Sequence, residues 1–420
     1  MTFARLTLIA AAVAALAACG KKEEHAAAPA APAPAAAPAA AAGGETVVKI
    51  GHVAPLTGSI AHLGKDNENG VRLAIDEINA SGLEIGGKKI KLELVSEDDQ
   101  ADAKTATTVA QRLVDAKVAG VVGHLNSGTT IPASTVYNAA GIPQISPSAT
   151  ATDYTKAGYK TAFRVIANDL AQGKALGNFA VDTLKARNIA VIDDKTAYGS
   201  GLAKEFENAA KAKGATIVTH EATQNDKTDF KAILTNIKAK KPDIVFFGGM
   251  DAQAGPMAQQ MKQLGISAKL LGGDGFQSPK FIELAGAAAE GQYASSPGMP
   301  KEQLPGFGDF NDKYKKKFNS EIQIYAPYCY DAVKVMVDAM KRANSTEPAK
   351  YLPELAKTDM QGVSGPIKFD DKGDIVGGSV TIYQAKGGKW EVLTTVGGSA
   401  APAAAPAAAA PAESKDAPKK

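Results

Sequence analysis

The chain is poor in cysteine. Among its 420 residues only Cys19 and Cys329 occur, too few for a disulfide framework. Stability must then come from a large apolar core, and the length suffices for one. Charge of one sign is missing as well. Lys and Arg number 47 against 44 Asp and Glu, for a formal net charge of +3. With no basic stripe interleaved with aromatics, nothing marks a nucleic-acid surface. The five histidines (His25, His52, His62, His124 and His220) do not fall at ligand spacing, so no metal is expected. No G-x-S-x-G, H-E-x-x-H or C-x-x-C is present. A secreted hydrolase on an α/β scaffold would lack its nucleophile–base pair, and no cofactor motif is seen. The one long apolar run, Leu6 to Ala18, is too short to span a bilayer.

That run follows Arg5 and ends in Leu16-Ala17-Ala18-Cys19. A basic start, a short apolar stretch and small residues before a cut predict an export signal over 1–19. The ending resembles a bacterial lipobox, which makes Cys19 a lipidated N-terminus and the mature protein a tethered one outside the cytoplasm. Gly20 rather than Asp follows it, which by analogy with a common sorting rule favours an outer membrane. Cys329 is then alone, and its helical surroundings predict a buried apolar thiol. Residues 20–45 and 398–420 are rich in Ala and Pro, extended and unable to build a core. The first reads as a spacer.

Between them, β-rich runs alternate with helical patterns. Val47–Val53, Ile90–Val95, Ala119–Gly123 and Gly141–Ile145 read as strands, and Lys65–Ala80, Ala103–Lys117 and Thr130–Ala140 as helices. The rhythm restarts with a helix from Asp169 to Ala186. Strands at Ile189–Ile192, Thr216–Thr219, Asp243–Phe247 and Lys269–Leu271 follow, with helices Gly199–Lys213, Lys227–Lys240 and Ala252–Leu264 between them. Two βα series predict an α/β protein with two doubly wound, Rossmann-like lobes. The remainder, helices Leu304–Phe318 and Ala326–Arg342 and a final β stretch, has too little strand for a third domain and completes the two lobes.

Ligands of such sheets bind beyond the C-terminal ends of strands. Four loops there carry chemistry. Gly123-His124-Leu125-Asn126-Ser127-Gly128-Thr129-Thr130 has P-loop spacing but Thr129 in place of the phosphate-binding Lys. Its helix N-terminus suits a carboxylate better than a triphosphate, unless Ser127 or Thr129 merely caps the helix. Ser146 to Thr152 offers hydroxyls, or a turn and cap. Asp193 to Gly199 places Tyr198 at a strand-to-helix turn. Gly272-Gly273-Asp274-Gly275 sets a carboxylate between glycines, a partner for an ammonium. A loop carboxylate so placed is expected to support no core, so its loss should spare folding.

Over about residues 47–397 the chain resembles the leucine/isoleucine/valine-binding proteins of ABC importers, with the periplasmic binding protein type I fold. The resemblance rests on Ile50–Gly58, Gly70–Asn79, Val122–Leu125, Ile145–Thr150, Asp194–Gly201, Gly272–Gly275, Tyr330–Ala332 and Gly365–Ile367 taken together. It implies a three-crossover hinge near 168, 297 and 375. The lobes are then 46–168 plus 298–375 and 169–297 plus 376–397. It implies a free branched-chain or related apolar amino acid held between them by Ser127, Ser148, Ala149, Thr150, Tyr198 and Asp274, with Ser148 acting through its backbone. Leu63 and Met250 stand at two pocket positions that are often Tyr. Asp274 is one methylene shorter than the Glu of the best-known members, and Ala101 and Asn126 stand where the family has a disulfide. A membrane permease would receive the ligand from a monomeric, non-catalytic, lipid-anchored receptor. A sensor for amides or other small molecules is the alternative on the same fold.

Overall fold

A computed structural model describes residues 44–398. The export signal, Cys19 and nearly all of both Ala/Pro-rich stretches lie outside the described residues. The first sheet and its helices comprise β1 (Thr46–Ala54), α1 (Ala61–Ser81), β2 (Leu83–Ile85), β3 (Lys88–Asp98), α2 (Ala103–Asp115), β4 (Gly120–Gly123), α3 (Ser127–Ala139), β5 (Gln144–Ser146), α4 (Asp153–Lys156) and β6 (Ala162–Arg164). A second series follows: α5 (Asp169–Asn178), β7 (Asn188–Asp193), α6 (Ala197–Ala212), β8 (Thr216–Ala222), α7 (Lys231–Lys240), β9 (Ile244–Gly248), α8 (Asp251–Gln263), β10 (Lys269–Gly272), α9 (Pro279–Ala285) and β11 (Tyr293–Pro297). The chain ends with α10 (Phe307–Phe318), α11 (Ala326–Arg342), α12 (Pro348–Leu355), β12 (Asp359–Gly362), β13 (Gly365–Lys368), β14 (Ser379–Lys386) and β15 (Lys389–Gly397).

The first sheet runs β2-β3-β1-β4-β5-β6, and the second β15-β14-β11-β10-β9-β7-β8. Within each, five consecutive strands are parallel and share one doubly wound order. The order reverses between β1 and β4 in one lobe and between β7 and β9 in the other. Central strands β4 and β9 are buried along their whole length, as helices on both faces require.

The chain passes between the sheets three times. After β6 it enters α5, which packs on α6 and β14. Beyond β11 it reaches α10 and α11, which pack along α1. Past β13 it returns as β14, antiparallel to β11. The α5–α6 contact is close because Gly173 and Gly177 lie there: a Cβ on either would fall 2.6 Å from Glu205 or Ala209 Cβ.

Several boundaries differ from the sequence reading, for local reasons. The strand expected from Gly141 begins at Gln144, because Gly141 (φ +68°) ends α3 in a left-handed turn. The helix expected from Leu304 begins at Phe307. Leu304 precedes Pro305 and is extended, and Gly306 is left-handed. The helix expected to Ala186 leaves α-geometry at Phe179 for one π-helical turn, Phe179–Thr183. Cys329 is fully buried, and burial pushes its thiol pKa well up. No helix among the described residues is long and apolar enough to cross a membrane.

Candidate ligand-binding cleft

The helices that follow strands at the two switch points, α3 and α6, contact each other. On one side, β4 leads through His124 into α3. Asn126 stands at the N-cap with extended backbone and Ser127 is the first helical residue, so neither Ser127 nor Thr129 caps the helix. The Ser127 hydroxyl accepts from the Ala151 amide at 3.1 Å. The Thr129 and Thr130 amides donate to the Asn126 carbonyl at 3.1 and 2.9 Å, so the amides of Ser127 and Gly128 stand at the positive end of the helix dipole. His124 beneath them is locked between Asp99 (2.8 Å) and Tyr137 (3.0 Å).

The loop after β5 lies beside this helix start. Ser148 is spent on structure: its hydroxyl donates to the Leu125 carbonyl at 3.0 Å and faces Asn67 at 3.4 Å. The Ala149 amide donates to Ser146 Oγ at 2.9 Å. Arg164, fully buried at the end of β6, reaches under the loop and donates to the carbonyls of Ala149 (3.1 Å) and Ala151 (2.8 Å). Its Nε donates to Asp374 at 2.7 Å. Thr150 is buried and its hydroxyl has no partner.

The other lobe supplies Asp274. It follows β10 and is 1 % exposed. Its Oδ1 accepts from Gln172 Nε2 and from the Tyr198 hydroxyl, each at 3.0 Å. Its Oδ2 accepts from the Tyr325 hydroxyl at 2.7 Å. Gln172 Oε1 in turn accepts from the Asp274 amide and the Ser295 hydroxyl. The glycines beside Asp274 make room for this packing: a Cβ at Gly273 would lie 2.3 Å from Leu202, and one at Gly275 2.6 Å from the Gly249 carbonyl. The expectation that Asp274 supports no core is therefore wrong. The residue is a buried hub joining β10, α5, α6 and the start of α11. Burial raises its pKa against the three donors.

Asp169, at the start of α5, was not foreseen. It is 1 % exposed and neither carboxylate oxygen has a partner. Burial pushes its pKa up to about 8, and the charge of Asp274 adds to the rise. Leu63 and Met250 are buried and join Tyr198 and Tyr325 in one apolar cluster. The cleft thus combines a helix start and hydroxyls on one side, buried carboxylates on the other, and an apolar wall. A separate groove of about 700 Å³ between Tyr328, Tyr383, Trp390 and Ile324 contains none of the expected site residues.

Residues 47–389 match the profile of the periplasmic binding protein family. The chain belongs to this family. Among its relatives, the leucine-, isoleucine-, valine-, threonine- and alanine-binding protein of Pseudomonas aeruginosa is 34% identical over 337 residues, 80% of this chain and 89% of that one. A leucine-binding protein of Thermotoga maritima superposes with a TM-score of 0.77 at 28% identity, over 83% of this chain and 98% of that one. A branched-chain amino acid transporter substrate binding protein of Streptococcus pneumoniae, solved with isoleucine, gives 0.76 at 32% identity, over 84% and 100%. The resemblance read from the sequence and the periplasmic binding protein type I fold both hold. Membership is in a family of extracytoplasmic binding proteins.

Proposed function

We propose that the protein is the substrate-binding component of an ABC importer for a branched-chain or related apolar amino acid. The carrying observation is the opposed polarity of the cleft. One lobe brings buried hydroxyls and the Ser127 and Gly128 amides at the start of α3, and the other brings the buried Asp274 carboxyl. A zwitterion places opposite charges on neighbouring atoms, and both must be satisfied when water is excluded. Ser127 and Thr150, with the Ser127 and Gly128 amides at the start of α3 and the Ser148 backbone, take the ligand carboxylate; the Ala149 amide is held by Ser146 Oγ. Asp274 takes the ammonium, with Tyr198 closing over it. Leu63 and Met250 contact the side chain. The names of the relatives support the same ligand class.

The lobes are 46–168 plus 298–375 and 169–297 plus 376–397, closing about the three passages between them. The protein acts as a monomer without catalysis. It is held to a membrane by lipid on Cys19, in the outer membrane if the cell has one, and hands its ligand to a permease.

A thermal-shift screen of the mature protein tests the ligand class. Ligand at a hundredfold excess over its dissociation constant adds about 2.7 kcal/mol. Leucine, isoleucine or valine should raise the melting temperature. Shifts by sugars or amides alone would refute the reading.

A further inference from the structure

His62 and Asp251 meet across the cleft. His62 lies in the first turn of α1, in one lobe, and Asp251 is the first residue of α8, in the other. His62 Nε2 is 2.7 Å from Asp251 Oδ2, although 189 residues separate them. The imidazole side chain is 23 % exposed and the carboxylate is wholly buried. Asp251 has little else. The Ser278 hydroxyl donates to the same oxygen at 2.5 Å, and Oδ1 is buried without a partner. Among the described residues no lysine or arginine bridges to it. Each residue is the chain neighbour of a proposed pocket residue: Leu63 follows His62, and Met250 precedes Asp251.

We infer that His62 is a positioning residue for binding: with Asp251 it forms a latch that sets how long the closed, loaded cleft stays shut. The inference rests on the amino-acid reading above. Separating the lobes must withdraw His62 from Asp251, which leaves the carboxylate with Ser278 and solvent. The pair does not exist in the open form, which is the form a ligand enters. It therefore acts on dissociation and not on association, unlike an exposed charge that steers encounter. Tyr325 and Asp274 also span the lobes, but Asp274 belongs to the proposed ammonium site. The His62 pair spans the lobes without belonging to the proposed ammonium site.

The test measures both rate constants for isotopically labelled leucine on the mature chain, with an unlabelled chase for dissociation. His62→Ala should raise the dissociation rate about tenfold, or 1.4 kcal/mol, with the association rate within about twofold of wild type. His62→Gln, whose amide can still donate, should restore most of the residence time. Asp251→Asn should slow or hasten dissociation far less on the His62→Ala background than on wild type. Normal leucine affinity with unchanged dissociation in His62→Ala would overturn the latch alone. Failure of the wild type to bind any amino acid would overturn the functional reading and the latch with it.

Discussion

The Tyr325 hydroxyl, from the lobe that carries α1, donates at 2.7 Å to Asp274 of the other lobe. One carboxylate oxygen is thereby tied to the opposite lobe, while the other is held by Gln172 and Tyr198 within its own. Asp274 is thus hydrogen-bonded to both halves of the fold.

Asp274→Ala should weaken amino-acid binding by at least one to two orders of magnitude, since a hydrogen bond to a charged group is worth about 1.5–3 kcal/mol. It should also lower the melting temperature of the ligand-free protein, because Gln172 and Tyr198 of the same lobe lose their acceptor. Tyr325→Phe removes one donor and leaves the acid, so its loss of affinity should be smaller. Calorimetry and thermal melts of the two variants check both statements. An Asp274→Ala protein as stable as wild type would contradict the hub.

The pH dependence of stability should carry the mark of Asp169. Its carboxyl loses a proton near pH 3.8 in an unfolded chain and at about 8 in the fold. Between these values the folded state holds a proton that the unfolded state has lost. Stability from this group is full below about pH 4, falls as pH rises, and levels off above about 8, with a slope of at most about 1.4 kcal/mol per unit. Asp169→Asn should flatten the decline. Thermal melts of the ligand-free protein at pH 6 and 8 make the comparison, and an identical slope in the variant would rule the assignment out.

His52 should act in the opposite sense at acid pH. It is fully buried, bonded through Nδ1 to the Val122 carbonyl at 3.0 Å, and burial pushes its pKa down to about 4. An unfolded chain protonates this histidine near pH 6.5, so stability is lost as pH falls from about 6.5 toward 4. His52→Gln should reduce that loss, read as the difference in melting temperature between pH 7 and 5.

Arg164→Met should cost about 3–5 kcal/mol, the usual effect of breaking a buried ion pair from one side. Asp374 loses its guanidinium, and the carbonyls of Ala149 and Ala151 lose their donor. Amino-acid affinity should fall along with stability, because the Thr150 loop rests on those bonds. Denaturant titration showing a loss below 1 kcal/mol would contradict this.

Replacing Cys19 by Ser should move the protein from the membrane fraction to the soluble envelope fraction, or leave it as uncleaved precursor. Wild-type protein that is fully soluble and free of acyl chains would remove the anchor from the account.

Central strands such as β4 and β9 were legible because they are short, apolar and buried along their whole length, and the βα loops after them marked the candidate ligand loops. What encloses those loops was not. Tyr325 is 51 residues from Asp274, Gln172 is 102, and Arg164 is 210 from Asp374. No local periodicity encodes such pairs. Asp169 follows Asn168, whose side chain caps α5 by accepting from the Ala171 amide, so in sequence the two read as an ordinary helix start. Pro305 and Gly306 did carry their signal: a residue before proline is driven out of helical backbone, and that moves the start of α10.

Calorimetric titration with leucine and its two truncated analogues tests the zwitterion clamp most directly. 4-Methylpentanoate lacks the ammonium, and 3-methylbutylamine lacks the carboxylate. The account predicts binding of leucine, or of isoleucine or valine, and affinities lower by at least about a hundredfold for both analogues, since each leaves one buried polar set unpaired. Binding of 4-methylpentanoate as tight as that of leucine would contradict it.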